Sequence, residues 1–264
     1  MKVRVLSDLH LEFSKKGDEA FDPGTGDVLI LAGDICDAVA FIHRCDVDLR
    51  ATYLRFFERC VLNYDKVFYV MGNHEHYNHV FSRTAEVLRT NLPDGVTLLD
   101  NQSEFYNGYH FVGATMWSDF GGGDPECLRA AEDGLNDYSY IFSNDEAVTI
   151  TPEFIAKQNK NTVEWFDQCL PTLNGPIFMI THHCPSFKSI DPDYVTSSTV
   201  TAYASDLEDL IEKTPNLMYW AHGHVHSSKC YTVGNCTVVC NPKGYPEGVG
   251  KNEKFNVKSS LELA

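Results

Sequence analysis

Five apolar runs of this chain each stop at a His, Asp or Asn: KVRVLSDLH (2–10), DVLILAGD (27–34), KVFYVMGNHE (66–75), PIFMITHH (176–183) and NLMYWAHGHVH (216–226). Short apolar runs bounded by turn signals read as buried strands. A buried strand has no use for a charged or imidazole side chain at its tip, since burying such a group unpaired is costly. Five tips that all carry metal-type ligands predict one site built where strand ends converge. The chemistry they predict is that of a two-metal hydrolase.

The chain of 264 residues is long enough for one large domain, and we expect a single domain over 1–264. Its formal net charge of −16 repels phosphate backbones, which disfavours extended nucleic acid as a partner. A small anionic substrate stays compatible, because bound divalent cations would reverse the local field. No run approaches the ~18 apolar residues that span a bilayer, so no membrane partner is expected. The opening MKVRVLSDLH lacks a signal core and enters a strand at once, which predicts a cytoplasmic protein. The nine cysteines form no CxxC pair, which argues against a zinc knuckle or a redox dithiol. They read as small buried hydrophobes in a reducing compartment. Cys36 and Cys184 lie beside the proposed ligands and are expected to be oxidation-sensitive.

Strands are expected near 2–7, 28–32 and 66–70, interleaved with helices near 46–63 and 80–91. That alternation is the mark of βαβ units and a mainly parallel sheet. Short strands follow at 96–99, 104–106 and 109–114. Thr151-Pro152-Glu153 supplies an N-cap, a first-turn Pro and an early acid, which predicts a helix over 152–169. A strand at 176–181, a helix near 203–213, a strand at 217–221 and a hairpin of 229–233 with 236–240 complete the chain, with Gly234-Asn235 as the hairpin turn. Residues 118–150 show no clean period and read as a long loop or cap over the site.

Asp8 and His10 are two apart at a strand end, where i and i+2 point to one side, so both can reach one ion. His224 and His226 repeat that spacing. Asp34 has two oxygens that can bridge two cations, Asn73 offers a carbonyl oxygen, and His182 an imidazole. A mixed N and O set without thiolate suits Mn²⁺, Fe, Co, Ni or Zn²⁺.

Asp8-Leu-His10, Gly33-Asp34, Gly72-Asn73-His74-Glu75, His182 and Gly223-His224-Val225-His226, in that order, resemble the motifs of the calcineurin-like metallophosphoesterases. GATMWSDF (113–120), LNDY (135–138) and NPKGY (241–245) resemble segments of small bacterial and phage members. The resemblance implies an α/β fold, a four-layer α/β/β/α sandwich with the site at one end of two central sheets. It implies two divalent ions, with Mn²⁺ foremost. One is held by Asp8, His10, Asp34 and His226, the other by Asp34, Asn73, His182 and His224. It also makes His74 the catalytic imidazole, serving the leaving oxygen while a metal-bridging hydroxide attacks phosphorus.

The expected function is hydrolysis of phosphate mono- or diesters, nucleotide-like or small. A nuclease of the same superfamily is the competing reading, and it would want a basic groove. A phosphoprotein phosphatase is disfavoured because GDICDAV lacks the Asp-Arg-Gly that follows Gly-Asp in those enzymes. A non-catalytic binding module would be expected to have lost ligands, and all seven are present. Glu75, His183 and His222 are candidates for orienting the ligands, with simple packing as an equal alternative for the two histidines. His76 and His79 either line the substrate mouth or cap the following helix on its solvent side, the second being favoured. Asp119, Asn136 and Asp137 are candidate substrate-loop residues, with polar turn residues as the plainer alternative. His43 and His110 carry no signal.

Overall fold

The structure, a computed structural model, describes residues 1–14, 21–42, 47–144, 147–248 and 250–263. His43 and Cys45 lie outside them, as do 15–20 of the first loop and 145–146 of the expected cap. In chain order the elements are β1 (Lys2–Leu6), β2 (Gly26–Ala32), α1 (Val47–Asn63), β3 (Tyr64–Val70), β4 (His79–Val80), α2 (Thr84–Asn91), β5 (Val96–Leu98), β6 (Gln102–Tyr106) and β7 (Tyr109–Ala114). Then come α3 (Phe120–Gly123), α4 (Pro125–Gly134), α5 (Asp137–Tyr140), β8 (Ile141–Phe142), α6 (Pro152–Cys169), β9 (Ile177–Thr181), α7 (Glu208–Glu212), β10 (Leu217–His222), β11 (Lys229–Val233), β12 (Cys236–Cys240) and β13 (Leu261–Glu262).

Two sheets form the centre, in the orders β13-β1-β2-β3-β5 and β11-β12-β10-β9-β7-β6. The strands that lead to the five tips pair in parallel: β1 with β2, β2 with β3, and β9 with β10. Alternation along each strand stacks the layers, because successive side chains face opposite sides. Val28, Ile30, Phe68 and Val70 face inward and meet Phe111, Phe178 and Ile180 of the second sheet. Leu29, Leu31, Val67 and Tyr69 face outward onto Tyr53, Phe56, Phe57 and Cys60 of α1. On the other side Ile177, Met179 and Trp220 face Phe166 of α6 and Leu210 and Ile211 of α7. Helix, sheet, sheet and helix thus make the four layers of the expected sandwich. Strands buried on both faces explain why the runs read as continuously apolar rather than alternating.

Two expectations need correction, and one pairing had no signal in the sequence. Residues 118–150 are not an irregular loop: α3, α4 and α5 fill much of the segment, and β8 pairs with β4. Asp124 caps α4, its carboxylate accepting from the Glu126 and Cys127 amides ahead of a first-turn Pro125, a start signal of the usual kind. In α3 the backbone is left-handed from Phe120 through Gly123, which hides it from any search for helical periodicity. The helix expected near 203–213 is only Glu208–Glu212, because Ala204 bridges to Cys184 and the Ser205 amide donates to the Cys184 carbonyl. The pairing of β13 with β1 went unread, since two residues are too few to show a period.

Candidate metal centre

The five tips converge. The Asp8 amide donates to the Gly33 carbonyl at 2.9 Å, the His10 amide to the Asp34 carbonyl at 3.0 Å, and the Gly223 amide to the His182 carbonyl at 3.0 Å. Asp8, His10, Asp34 and His224 all have left-handed backbones, with φ of 51°, 48°, 54° and 68°. L residues pay roughly 1–2 kcal/mol each for that conformation, so four together mark a site whose surroundings dictate its geometry. Two neighbouring glycines are required by space. A Cβ at Gly72 would lie 2.7 Å from the Asp34 amide and 2.8 Å from the His182 ring, and one at Gly223 would lie 2.7 Å from Asp8 Oδ2.

The side chains that meet are those read from the sequence. Donor atoms of Asp8, His10 and His226 lie within 4.8 Å of one another, as do those of Asp34, His182 and His224, and those of His10, Asp34 and His74. Asp34 Oδ2 is 3.3 Å from His182 Nε2, 3.9 Å from His10 Nε2 and 4.0 Å from His74 Nε2. His226 Nε2 is 3.4 Å from Asp8 Oδ1 and 3.1 Å from His10 Nε2. Asn73 Oδ1 is 3.1 Å from His182 Nε2.

This set fits divalent cations. Asp8 and Asp34 are fully buried carboxylates whose ion-pair partners, among the described residues, are histidines. His224 Nε2 is buried with no hydrogen-bond partner, a lone pair held ready for something else. The contact of the His10 and His226 Nε2 atoms suits two imidazoles aimed at one ion better than it suits a hydrogen bond. No thiol joins the set, so the donors remain nitrogen and oxygen.

Burial opposes ionisation of Asp34, yet His182, His74 and His10 outweigh it and hold the carboxyl well below its usual range. Burial likewise opposes charge on His182 and His74, but Asp34 raises the first to about 10, and Asp34 with Glu12 raises the second to about 9. For His224, burial and then His183 push the imidazole far below its usual value. That keeps it neutral, the form in which a histidine binds metal.

A supporting layer holds these groups. Glu75 is buried, and its carboxylate accepts from the amides of Asp34 (3.0 Å), Ile35 (2.8 Å) and Gly72 (2.6 Å) and from the Tyr69 hydroxyl (2.6 Å). It ties the end of β2 to the turn after β3, and burial together with Asp34 raises it to about 7. Asp137 Oδ1 accepts from Asn73 Nδ2 at 2.8 Å, which turns Asn73 Oδ1 toward the cluster. The Ala32 carbonyl at 2.9 Å fixes His182 Nδ1. The sequence reading missed Glu12, whose Oε1 lies 3.0 Å from His10 Nδ1 and 2.8 Å from His74 Nδ1. One carboxylate oxygen so turns both Nε2 atoms inward. Its signal was slight: an acid two residues after His10, which a short turn (Leu11–Phe13) brings back over the site. Tyr245, in the NPKGY segment, also joins the site and has no signal of its own in the sequence. Its hydroxyl is 3.4 Å from His74 Nε2 and its ring 4.6 Å from those of His10 and His226.

Other candidates sit elsewhere. His183 packs on His224 with ring centroids 4.2 Å apart. His222 turns away, its Nε2 meeting Ser189 Oγ at 2.8 Å. His76 neither caps a helix at the surface nor faces the mouth: it is buried and stacked on Phe81 at 4.5 Å. His79 is buried in β4. Asp119 caps α3, accepting from the Gly121 amide, and so takes the plainer role of a turn residue. Asn136 lines a cavity of about 910 Å³ that His74 also lines. Cys36 and Cys184 are buried, and burial first, then nearby carboxylates, raises both thiols, which opposes the reactivity expected of them.

The chain belongs to the calcineurin-like phosphoesterase family, whose profile matches residues 1–228. It is 26% identical over 288 aligned residues to an uncharacterised protein of Acanthamoeba polyphaga mimivirus, across 99% of this chain and 96% of that one. In fold it is similar to the phosphopantetheinyl hydrolase of Mycobacterium tuberculosis, with a TM-score of 0.64 and 16% identity over 93% of this chain and 90% of that one. It is also similar to a dimetal phosphatase of Danio rerio, with a TM-score of 0.50 and 13% identity over 90% and 86%. Family membership makes it a hydrolase of phosphate esters. Among the described residues no helix is long and apolar enough to cross a membrane.

Proposed function

We propose that this chain hydrolyses phosphate mono- or diesters at a binuclear centre within one domain. Asp8, His10, Asp34 and His226 would hold one ion, and Asp34, Asn73, His182 and His224 the other, with Mn²⁺ the first choice. The observation that carries this reading is Asp34, whose carboxylate stands within ion-pair distance of histidines from three separate tips. Metal held by these residues would supply an activated water and would neutralise charge on the phosphoryl oxygens.

The remaining steps belong to side chains. Glu12 and Glu75 hold the donors in place, so little reorganisation is left for the reaction itself. His74 keeps its Nδ1 on Glu12 and turns Nε2 toward Asp34 and the open cavity. Asp34 and Glu12 favour its protonated form, so His74 donates a proton to the departing oxygen. Tyr245, at 3.4 Å from the same Nε2, steadies it.

The test is metal-stripped protein reconstituted with Mn²⁺, Co²⁺, Ni²⁺, Zn²⁺ or Fe²⁺ and assayed on p-nitrophenyl phosphate and bis-p-nitrophenyl phosphate. Turnover with at least one metal, absent in Asp34→Asn, is the expected result. Failure of every metal on both substrates would sink the proposal.

A further inference from the structure

The cavity beyond His74 has walls of a particular kind, and the inference drawn from them rests on the phosphoesterase reading. Two aromatic ladders descend from its mouth. In the first Tyr140 is 45% exposed and tilts against Tyr77 at 5.6 Å, and Tyr77 stacks on His74 at 4.2 Å with 26° between the planes. In the second ladder Phe13 is 49% exposed and meets Tyr245 edge-on at 5.6 Å, and Tyr245 lies 6.1 Å from His74. Both ladders end at the imidazole that faces the departing oxygen. All five residues line the same cavity of about 910 Å³, the size of a small-molecule site.

The inner rungs are rigid. The Tyr77 hydroxyl donates to Asp137 at 2.7 Å, and the Tyr245 ring is pinned between His10 and His226. The outer rungs leave aromatic surface in water that is free to pack on a flat ring. Asp37 and Glu247 also line the cavity and add negative charge to it. A second phosphate there would be repelled, while a flat uncharged ring would meet no such repulsion and could stack on the exposed aromatic side chains.

We propose that the cleft is a specificity slot for a flat, uncharged ring system on the leaving-group side of a singly phosphorylated ester, with Phe13 and Tyr140 as its selecting walls. Hydrolysis breaks the P–O bond to the ring-bearing alcohol and forms a P–O bond to the oxygen of water. The departing alkoxide takes up a proton beside His74, and the freed alcohol leaves between the ladders. Monocyclic arenes and nucleobases share this chemistry, and substrate pairs separate them.

Metal-reconstituted protein is assayed with benzyl phosphate against cyclohexylmethyl phosphate, and with nucleoside 5′-monophosphates against ribose 5-phosphate. Each pair releases a primary alcohol, so the flat ring is the variable. We expect the flat partner to be favoured in kcat/KM by at least about tenfold in one pair or both, the scale of ring stacking. The preference should vanish in the Phe13→Ala/Tyr140→Ala double variant and return in Phe13→Trp/Tyr140→Phe. A preference confined to the benzyl pair identifies an arene, and one in the nucleotide pair a nucleobase. Equal values within both pairs, or a preference that survives the double alanine variant, overturn the proposal. Calorimetric binding of the same compounds reads the slot without turnover. Selective binding with no hydrolysis of any substrate would keep the slot and refute the phosphoesterase reading, whereas neither binding preference nor hydrolysis refutes both.

Discussion

Glu12 offers the most searching single substitution, because one of its oxygens serves two imidazoles. Its Oε1 is 3.0 Å from His10 Nδ1 and 2.8 Å from His74 Nδ1, and its other oxygen is buried without a partner. Glu12→Gln can keep an acceptor at the Oε1 position and removes the charge. Partners that orient metal-binding histidines are typically worth about 10- to 100-fold in metal affinity or activity. At about 1.4 kcal/mol per tenfold, that is roughly 1.4–2.8 kcal/mol of transition-state stabilisation. We expect Glu12→Gln to lower kcat/KM within this range and Glu12→Ala to lower it further. The pH profile gives the sharper readout. Burial disfavours the His74 cation, and Asp34 and Glu12 together overcome it and raise the group to about 9. A proton donor with a raised pKa is active below that value and loses activity as pH rises through it. Neutralising Glu12 lowers the pKa, so the alkaline limb should move to lower pH in Glu12→Gln. Initial rates over pH 5–10, with circular dichroism to check folding, measure both effects. A variant within twofold of the parent and with an unmoved alkaline limb would refute the positioning role.

Three further outcomes follow from the same contacts. His74→Ala should keep its full complement of metal, read by elemental analysis, and lose about 10²–10⁴ in kcat; unchanged turnover would reject His74 as the proton donor. Gly72→Ala drives a Cβ to 2.7 Å from the Asp34 amide and should abolish metal binding and lower stability by about 1–3 kcal/mol in chemical denaturation. Parental metal affinity in that variant would show that the turn can yield. Thr151→Ala removes the side chain that accepts from the Phe154 amide at the start of α6. It should cost about 1 kcal/mol, a Tm drop of about 2–4 °C, with kcat/KM unchanged; a loss of activity would mean that α6 reaches the site in some further way.

Much of the candidate site was legible because the side chains proposed as ligands interrupt strands. Asp8, Asp34, His182 and His224 stand where apolar runs end, and the parallel pairing of β1 with β2 and of β9 with β10 brings those ends together. The helix at α6 was legible to the residue because Thr151 and Pro152 mark its start chemically. What escaped was whatever depends on chain reversal. Glu12 acts across to His74 only because His10 takes a left-handed backbone and the chain folds back, a conformation that no side-chain pattern announces. The left-handed run from Phe120 to Gly123 hid α3 in the same way. His76 was misplaced because an imidazole in a polar stretch reads as solvated, whereas Phe81 and Trp117 enclose it in the fold. Asn73 and Asp137, by contrast, were each singled out, but their pairing was visible only once α5 closed over the turn after β3.

The central claim is that five strand tips assemble one binuclear centre around Asp34. Titration of the metal-free protein with Mn²⁺, followed by electron paramagnetic resonance, tests it most directly. The account predicts two ions per chain with a spin-coupled spectrum, and loss of that coupling in Asp34→Asn. One ion per chain, or two that show no coupling, would contradict it.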